Sequence, residues 1–394
     1  MLLGVYRKVD NTNEDTSRTV MKRKFCFVLP HFHGEFSGGA ETQCFFLAKE
    51  LLVRGWEVHY IRESDADAMN EFEGIVLHAI PRRRKLFKWR NWYHLRRAMH
   101  AIKADVWYVR ANISYVPLVV WHSRQMNGKT IWAFSRDSQF DHTKRNVKGR
   151  VVHNVAAQLD HLAFYRALKH VDKILLQTEN QRQMLSTKLM LSGDVIHNAH
   201  PIPTKSVSSK DNIVIWIGRL QEFKHPERYL DIVRSLQTTQ IVFYLVGDTP
   251  NERMKASIGR QSRSLKKFRW VGKISLEEVH NLLDISKLLV NTSDYEGFSN
   301  TFIEAWMRGV PVVSLFVDPD NFIVNRQIGL VASNTATAAL KIEELMNDHE
   351  TWQRMSYNCI KFARENFNIV QAVDRLEQCI FFLGVGTARV REKL

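Results

Sequence analysis

The sequence predicts an α/β fold with two domains, each built on a parallel β-sheet that helices cover on both faces. Short, continuously apolar runs alternate with helical patterns along most of the 394 residues, and strands of that kind are buried on both sides. Two such series are separated by residues 197–209, which are rich in proline and serine. Because this composition is typical of a linker, we place the domain boundary near residue 205.

Each series contains the extended and helical patterns expected for one domain. In the first series the predicted strands are 24–29, 56–61, 75–80, 105–109, 129–134 and 173–177, and the predicted helices are 40–54, 113–126 and 151–169. In the second series the predicted strands are 213–217, 241–246, 268–271, 287–291 and 310–315, with a helix at 225–237. The predicted organisation is a flexible tail (1–20), an N-terminal domain (21–205), a C-terminal domain (206–370) and a final helix (371–394) that can pack back on the N-terminal domain.

The net charge is +15, and the excess lies in residues 1–205, which hold 32 lysines and arginines against 19 acidic residues. It is densest between Arg82 and Lys103, a stretch with nine basic residues, four interleaved aromatic residues and no acidic one. Such a segment favours an anionic partner, which leaves open a membrane surface, an acidic glycan or a nucleic acid. A solvated helix face without a partner is an equally good interpretation.

The cysteines and the hydropathy pattern limit the class of protein. Cys26, Cys44, Cys359 and Cys379 are scattered, which disfavours a disulfide framework or a zinc site and favours a reducing compartment. The sequence has no apolar run near the roughly 18–20 residues that span a bilayer. Its first 20 residues lack the apolar core of a signal peptide. We therefore expect a cytoplasmic protein.

In open parallel sheets ligands bind beyond the carboxyl ends of the strands, so the segments that follow the strands are the candidate site. Gly38 and Gly39 precede the first helix, where glycine lets the backbone approach an anion closely. This segment has neither the dinucleotide-binding nor the P-loop pattern, which disfavours a nicotinamide cofactor and nucleotide hydrolysis. In the second domain Arg219 and Lys224 follow the first strand, and two cations at that place suit a diphosphate.

The most informative segment is 291–314, whose pattern indicates a strand, a loop, a helix, a turn and a strand. Ser299 or Asn300 can cap the helix. Glu296 then lies in the loop and Glu304 about one turn into the helix, so that both carboxylates can line one cleft. Free backbone N–H groups at the helix start would point at a phosphate between them. From spacing alone, two solvated glutamates would be the alternative.

With these residues the sequence resembles glycosyltransferase family 4 and its retaining, group 1 relatives. The resemblance rests on Glu296 and Glu304, which are embedded in E-G-F-S-N-T-F-I-E-A-W-M-R-G-V-P-V-V-S, and on the G-R-L-Q-E-F-K segment that contains Arg219 and Lys224. It includes G-G-A-E at residues 38–41 and extends over about residues 24–370. The resemblance implies the GT-B fold, in which two Rossmann-like domains face each other across a cleft.

The resemblance also implies roles for individual residues. Arg219 and Lys224 would bind the donor diphosphate and stabilise the leaving nucleotide, Glu304 would bind the ribose, and Glu296 would contact the donor sugar. No metal and no cofactor is expected, since the nucleotide-sugar is a co-substrate. The implied donor-binding residues are Gly38, Gly39, Gly218, Arg219, Lys224, Gly272, Lys273, Ile274, Glu296, Gly297, Phe298, Ser299, Asn300, Thr301 and Glu304.

One position departs from the family pattern. Many relatives carry a histidine after the fourth N-terminal strand, near the reacting centre, whereas this chain has Arg110. Asp137, which follows the next strand, could face the cleft and orient or deprotonate the acceptor. We therefore add Asp137 to Glu296, Arg219 and Lys224 as a predicted catalytic residue.

The expected function is a retaining, metal-independent hexosyl transfer from a nucleotide-sugar, with uridine favoured over guanosine. The expected acceptor is a cell-envelope glycan, a polysaccharide or a lipid-linked sugar, and the basic stretch would hold the enzyme at the inner face of the membrane. A nucleotide-sugar epimerase on the same fold is the alternative, although the context of the two glutamates favours a transferase. A third interpretation is a basic nucleic-acid-binding protein, although no nucleic-acid-binding motif stands out in the sequence.

Overall fold

The computed structural model describes residues 22–33, 35, 38–64, 69–82, 90–140, 151–204 and 209–385. The predicted tail (1–20), residues 83–89 of the basic stretch and residues 205–208 of the linker lie outside this part of the chain.

The N-terminal domain is built on a β-sheet with a hydrophobic core on each face, and successive apolar side chains of a strand enter the two cores in turn. Its strands are β1 Lys24–Val28, β2 Glu57–Glu63, β3 Glu71–Phe72, β4 Ile75–Ile80, β5 Val106–Arg110, β6 Lys129–Ala133, β7 Lys173–Leu176 and β8 Asp194–Val195. In the described part of the domain they lie in the order β3-β4-β2-β1-β5-β6-β7-β8. Neighbouring strands are parallel except β3 and β4.

Helices cover both faces of this sheet, because successive residues of a strand point to opposite sides. Phe25 and Phe27 of β1 pack in one core with Leu51 of the first helix. Trp107 and Trp132 pack in the second core, on the other face. The helices are α1 Gly39–Val53 on the first face, α2 Arg90–Ile102, α3 Val116–Gln125 and α4 Val151–Leu168 on the second, and α5 Glu179–Leu189 after β7.

The C-terminal domain repeats this arrangement with a smaller sheet. Its strands are β9 Ile213–Ile217, β10 Val242–Val246, β11 Phe268–Gly272, β12 Leu288–Asn291, β13 Val312–Ser314 and β14 Gly329–Val331. They are parallel and lie in the order β11-β10-β9-β12-β13-β14. The helices are α6 Pro226–Ser235, α7 Glu252–Ser262, α8 Leu276–Ile285, α9 Asn300–Trp306, α10 Phe322–Asn325, α11 Thr335–Asn347 and α12 His349–Asn366.

The final described helix, α13 Ile369–Phe382, returns to the N-terminal domain. Val373 and Leu376 are buried in the core that α1 covers. Arg54, just after α1, donates to a carboxylate oxygen of Glu377 over 2.9 Å. The two domains are therefore joined by the linker and by this helix.

The predicted α/β fold with parallel sheets is confirmed. The prediction missed β3, β8 and β14, which are strands of two or three residues at the edges of the sheets. Such strands are too short for an apolar period to be recognised. Within the described residues, no helix combines the length and the hydropathy that crossing a bilayer requires.

Candidate active site

Three glycine-containing turns meet at the carboxyl ends of β9, β10 and β11. The backbone N–H of Gly218 donates to the carbonyl of Val246 over 3.0 Å, and that of Gly247 donates to the carbonyl of Gly272 over 2.7 Å. A Cβ on Gly247, whose φ is +137°, would lie 1.8 Å from the Gly218 carbonyl oxygen, so glycine is required at this crossing. The predicted donor residues Gly218 and Gly272 are thereby brought to one edge of the sheet.

The residues predicted to bind the diphosphate and the sugar form an ion pair at this edge. Lys224 lies beyond β9, and its Nζ donates to Oε1 of Glu296 over 2.6 Å. The same oxygen accepts a hydrogen bond of 2.8 Å from Oγ of Ser293. The side chains of Lys224 and Glu296 are only 18% and 14% exposed. A shielded pair of opposite charges beside the strand ends can rearrange around a ligand that offers both phosphate oxygens and hydroxyl groups.

The remaining predicted donor residues of these turns differ in exposure. Arg219 and Lys273 are exposed, whereas Ile274 packs partly against the core of the domain. Ile274 therefore contributes to the packing of the domain whether or not it touches a ligand. Among the residues that the structure describes, no group of three or more histidine, cysteine, aspartate or glutamate side chains is arranged to hold a metal ion.

The start of α9 is tied to the N-terminal domain. Ser299 occupies the N-cap position but makes no side-chain capping bond, and its hydroxyl lies 2.9 Å from that of Thr301. The other predicted cap, Asn300, points across the domain boundary, where its Nδ2 donates to the carbonyl of Gly39 over 3.0 Å. Asn300 therefore joins the two domains and does not cap the helix.

Glu304 lies on the same side of α9 as Asn300, one turn further along, and is 5% exposed. Burial raises the pKa of its carboxyl group to about 7, and Arg308 offsets only part of this effect. Nδ1 of His200 lies 3.8 Å from Oε1 of Glu304. Because burial lowers the pKa of His200 to about 3, the imidazole is neutral and the two groups do not form an ion pair. The two predicted glutamates thus differ, since only Glu296 pairs with a cation.

Gly297, in the E-G-F-S segment before α9, allows the two domains to approach each other closely. A Cβ on Gly297 would lie 3.0 Å from the Ser135 carbonyl oxygen and 3.1 Å from Oε1 of Gln177. That Gln177 oxygen accepts a hydrogen bond of 3.0 Å from the backbone N–H of Phe298. The predicted residues Gly297 and Phe298 therefore contact the N-terminal domain directly.

Asn198, in the segment that precedes the linker, connects Arg110 to the start of α9. A terminal nitrogen of Arg110 donates to Oδ1 of Asn198 over 2.8 Å. Nδ2 of Asn198 donates to the carbonyl of Phe298 over 3.0 Å and lies 2.9 Å from Oδ1 of Asn300. Gln43 of α1 donates to the same Asn300 oxygen over 3.2 Å. These bonds form a continuous polar network between the domains, which we call the interdomain network (Gln43, Arg110, Asn198, Phe298 and Asn300).

Arg110 lies beneath this interface, in a different environment from the one that its family position suggests. Its side chain is buried, at 4% exposure, and it borders a cavity of about 20 Å³. A cavity of that size holds a single water molecule and not a sugar. In this arrangement Arg110 supports Asn198.

Asp137 lies in the segment that follows β6. It follows Ser135, whose carbonyl oxygen is close to Gly297. Its Oδ1 accepts a hydrogen bond of 2.9 Å from Nε2 of Gln181, so the carboxylate already has a structural partner. Its predicted role toward the acceptor stays a prediction.

Sequence reasoning missed four residues that position this site, namely Gln43, Gln177, Asn198 and Gly247. Three of them are amides whose partners lie on distant parts of the chain, and no local pattern identifies such pairs. Gly247 carried a signal, since it directly follows a predicted strand, and a glycine there is compatible with close backbone approach.

The C-terminal half of the chain matches a known family. Residues 201–362 match the family model "Glycosyl transferases group 1". This range contains both predicted glutamates, Arg219 and Lys224. The coarser part of the predicted resemblance, to group 1 glycosyltransferases, is therefore confirmed for the C-terminal domain. No curated protein matches the chain.

Solved structures confirm the predicted GT-B fold over nearly the whole chain. HepE from Anabaena, determined in complex with UDP, superimposes with a TM-score of 0.72 at 14% identity, covering 92% of this chain and 100% of its own. Sucrose-phosphate synthase from Thermosynechococcus elongatus gives a TM-score of 0.72 at 15% identity, covering 93% and 100%. A glycosyltransferase from Rickettsia africae gives 0.70 at 15% identity, covering 93% and 100%.

Proposed function

We propose that this protein is a retaining glycosyltransferase of family 4 that transfers a sugar from a UDP-linked donor. The acceptor is a cell-envelope glycan, a polysaccharide or a lipid-linked sugar. The observation that carries the proposal is the shielded Lys224–Glu296 pair at the strand ends of the domain that matches the group 1 family. The HepE structures with UDP and with UDP-glucose support uridine as the base.

In this proposal the charged residues have separate tasks. Lys224, released from Glu296, and Arg219 bind the donor diphosphate and stabilise the negative charge that develops as it leaves. Glu296 accepts hydrogen bonds from hydroxyl groups of the donor sugar. Glu304 accepts hydrogen bonds from the ribose, whose hydroxyls satisfy a buried carboxylate that is otherwise costly to ionise.

The proposed reaction takes place on one face of the sugar. The acceptor hydroxyl oxygen forms a bond to the anomeric carbon while the bond from that carbon to the diphosphate oxygen breaks. The hydroxyl proton passes to the departing diphosphate. Because the acceptor attacks on the same face from which the diphosphate leaves, the configuration of the anomeric carbon is retained. Asp137 is proposed to orient the acceptor hydroxyl.

The test is a set of UDP-sugars incubated with candidate acceptors, in which UDP release and product formation are measured together. We expect acceptor-dependent UDP release with retained configuration. Glu296→Gln should lower kcat by about 100-fold, the scale of one lost transition-state contact, while UDP still binds. Glu343→Gln, at α11, is the matched control and should leave kcat unchanged. An epimeric sugar or free UDP formed without any acceptor would refute transfer and favour the epimerase.

A further inference from the structure

The helical layer on one face of the N-terminal sheet has an unusual outer surface. In α2 the residues at 91, 95, 99 and 102 are buried, so the opposite side of this helix faces outward. The outward side consists of Trp92, Tyr93, Arg96, Arg97 and His100. It contains aromatic and basic residues and no acidic one.

The neighbouring helix α3 continues this surface. Trp121 of α3 is 48% exposed, and the guanidinium of Arg96 lies over its ring at 5.3 Å from the centroid. The helices α2, α3 and α4 together contain five arginines and one aspartate. We call Trp92, Tyr93, Arg96, Arg97 and Trp121 the basic aromatic face.

Large aromatic side chains that remain exposed among cations indicate a partner with both apolar and anionic character. Trp92 and Tyr93 are 38% and 65% exposed, and surfaces of this kind are typical of interaction sites. Indole and phenol rings partition into the headgroup layer of a bilayer, and arginines beside them bind anionic lipid. A helix that lies flat with such a face suits an interface in the plane of the membrane.

We infer that the basic aromatic face docks the protein on an anionic lipid surface, with α2 lying along the membrane plane. The face lies on helices of the N-terminal domain, whereas the Lys224–Glu296 pair belongs to the C-terminal domain. The inference therefore goes beyond the proposed function and does not depend on it. A nucleic acid is the competing partner, since aromatic and basic residues also bind single strands.

The experiment is co-sedimentation of the full chain with phosphatidylcholine vesicles, with and without phosphatidylglycerol. We expect binding only when phosphatidylglycerol is present. Arg96→Glu combined with Arg97→Glu should weaken that binding by at least about tenfold, because each arginine near an anionic leaflet contributes roughly fivefold. The matched control is Arg260→Glu with Arg263→Glu, two exposed arginines at the end of α7, and it should bind like the wild type.

A second variant tests the aromatic residues separately. Trp92→Ala with Tyr93→Ala should lower binding to the vesicles that contain phosphatidylglycerol at low ionic strength, where the arginines are not screened. Because all four substituted side chains are exposed, thermal unfolding should be nearly unchanged in both double variants. Equal binding of the wild type and Arg96→Glu with Arg97→Glu to anionic vesicles would overturn the inference. The inference would also be overturned if the wild type bound single-stranded RNA and not vesicles, and if Arg96→Glu with Arg97→Glu abolished that RNA binding.

Discussion

At the scale of single residues, the environment of Glu304 matters most for the proposed binding of the donor. Its carboxyl group is buried, with a pKa of about 7, so near neutral pH it is partly protonated before a ligand arrives. A ligand that donates hydrogen bonds to the carboxylate stabilises the charged form. Ribose hydroxyls, in the proposed role, would do so and would lower the pKa of Glu304 on binding.

This predicts how donor affinity depends on pH. Because the ligand binds the deprotonated carboxylate, the Kd of UDP-glucose should fall as the pH rises from about 5 through 7 and then level off. The donor diphosphate does not titrate in this range, so calorimetric titration at several pH values reports the carboxyl group. Glu304→Gln should remove most of this pH dependence. An equally steep profile in that variant would show that another group is responsible.

The same pKa affects the stability of the free protein. The pKa of Glu304 in the folded state is raised above its ordinary value of 4.5. Its contribution to stability is therefore fully present below about pH 4.5 and is lost as the pH rises through about 7. The charged carboxylate therefore favours donor binding in the same pH range in which the free protein is less stable.

At the scale of elements, the interdomain network fixes the start of α9 against the N-terminal domain. Asn198 is its central residue, because it accepts from Arg110 and donates toward Phe298 and Asn300. Asn198 and Asn300 are separated by 102 residues in the sequence. The contact depends on how the two domains are placed, and this explains why residue patterns did not predict it.

Asn198→Ala is expected to loosen the interface. It removes the bonds to Phe298 and Asn300 and leaves a buried guanidinium of Arg110 without that acceptor, which should cost about 2 kcal/mol or more of stability. The radius of gyration measured by X-ray scattering should increase, and the midpoint of thermal unfolding should fall. Asn358→Ala is the control, since its single side-chain bond of 3.4 Å lies within the C-terminal domain. Unchanged scattering and unfolding in Asn198→Ala would contradict a positioning role.

The sequence predicted where several residues of the candidate site lie relative to the strands, because local patterns determine those positions. Gly218, Lys224 and Glu296 were predicted to follow strands, and the structure places them at the strand ends of one sheet. Environments that arise only on folding were not predictable. The burial of Glu304, the supporting position of Arg110 and the crossing at Gly247 all depend on segments far apart in the chain.

At the scale of the whole molecule, the two domains differ in charge and in contacts. The N-terminal domain carries the positive excess and the basic aromatic face, and the C-terminal domain carries the segment that matches the glycosyltransferase family. The domains meet at Gly39, Gly297 and the interdomain network, and α13 joins them a second time. In this account the donor binds in the C-terminal domain, and contact with the N-terminal domain completes the site.

The most direct test of this account is calorimetric titration of UDP into the wild type and two lysine variants. We predict that UDP binds and that Lys224→Met weakens binding by about 10- to 100-fold, because a charge-assisted hydrogen bond to phosphate is lost. Lys361→Met, which changes an exposed lysine of α12, should bind UDP like the wild type. UDP binding that is equally tight in Lys224→Met, or no binding of UDP to the wild type, would contradict the account.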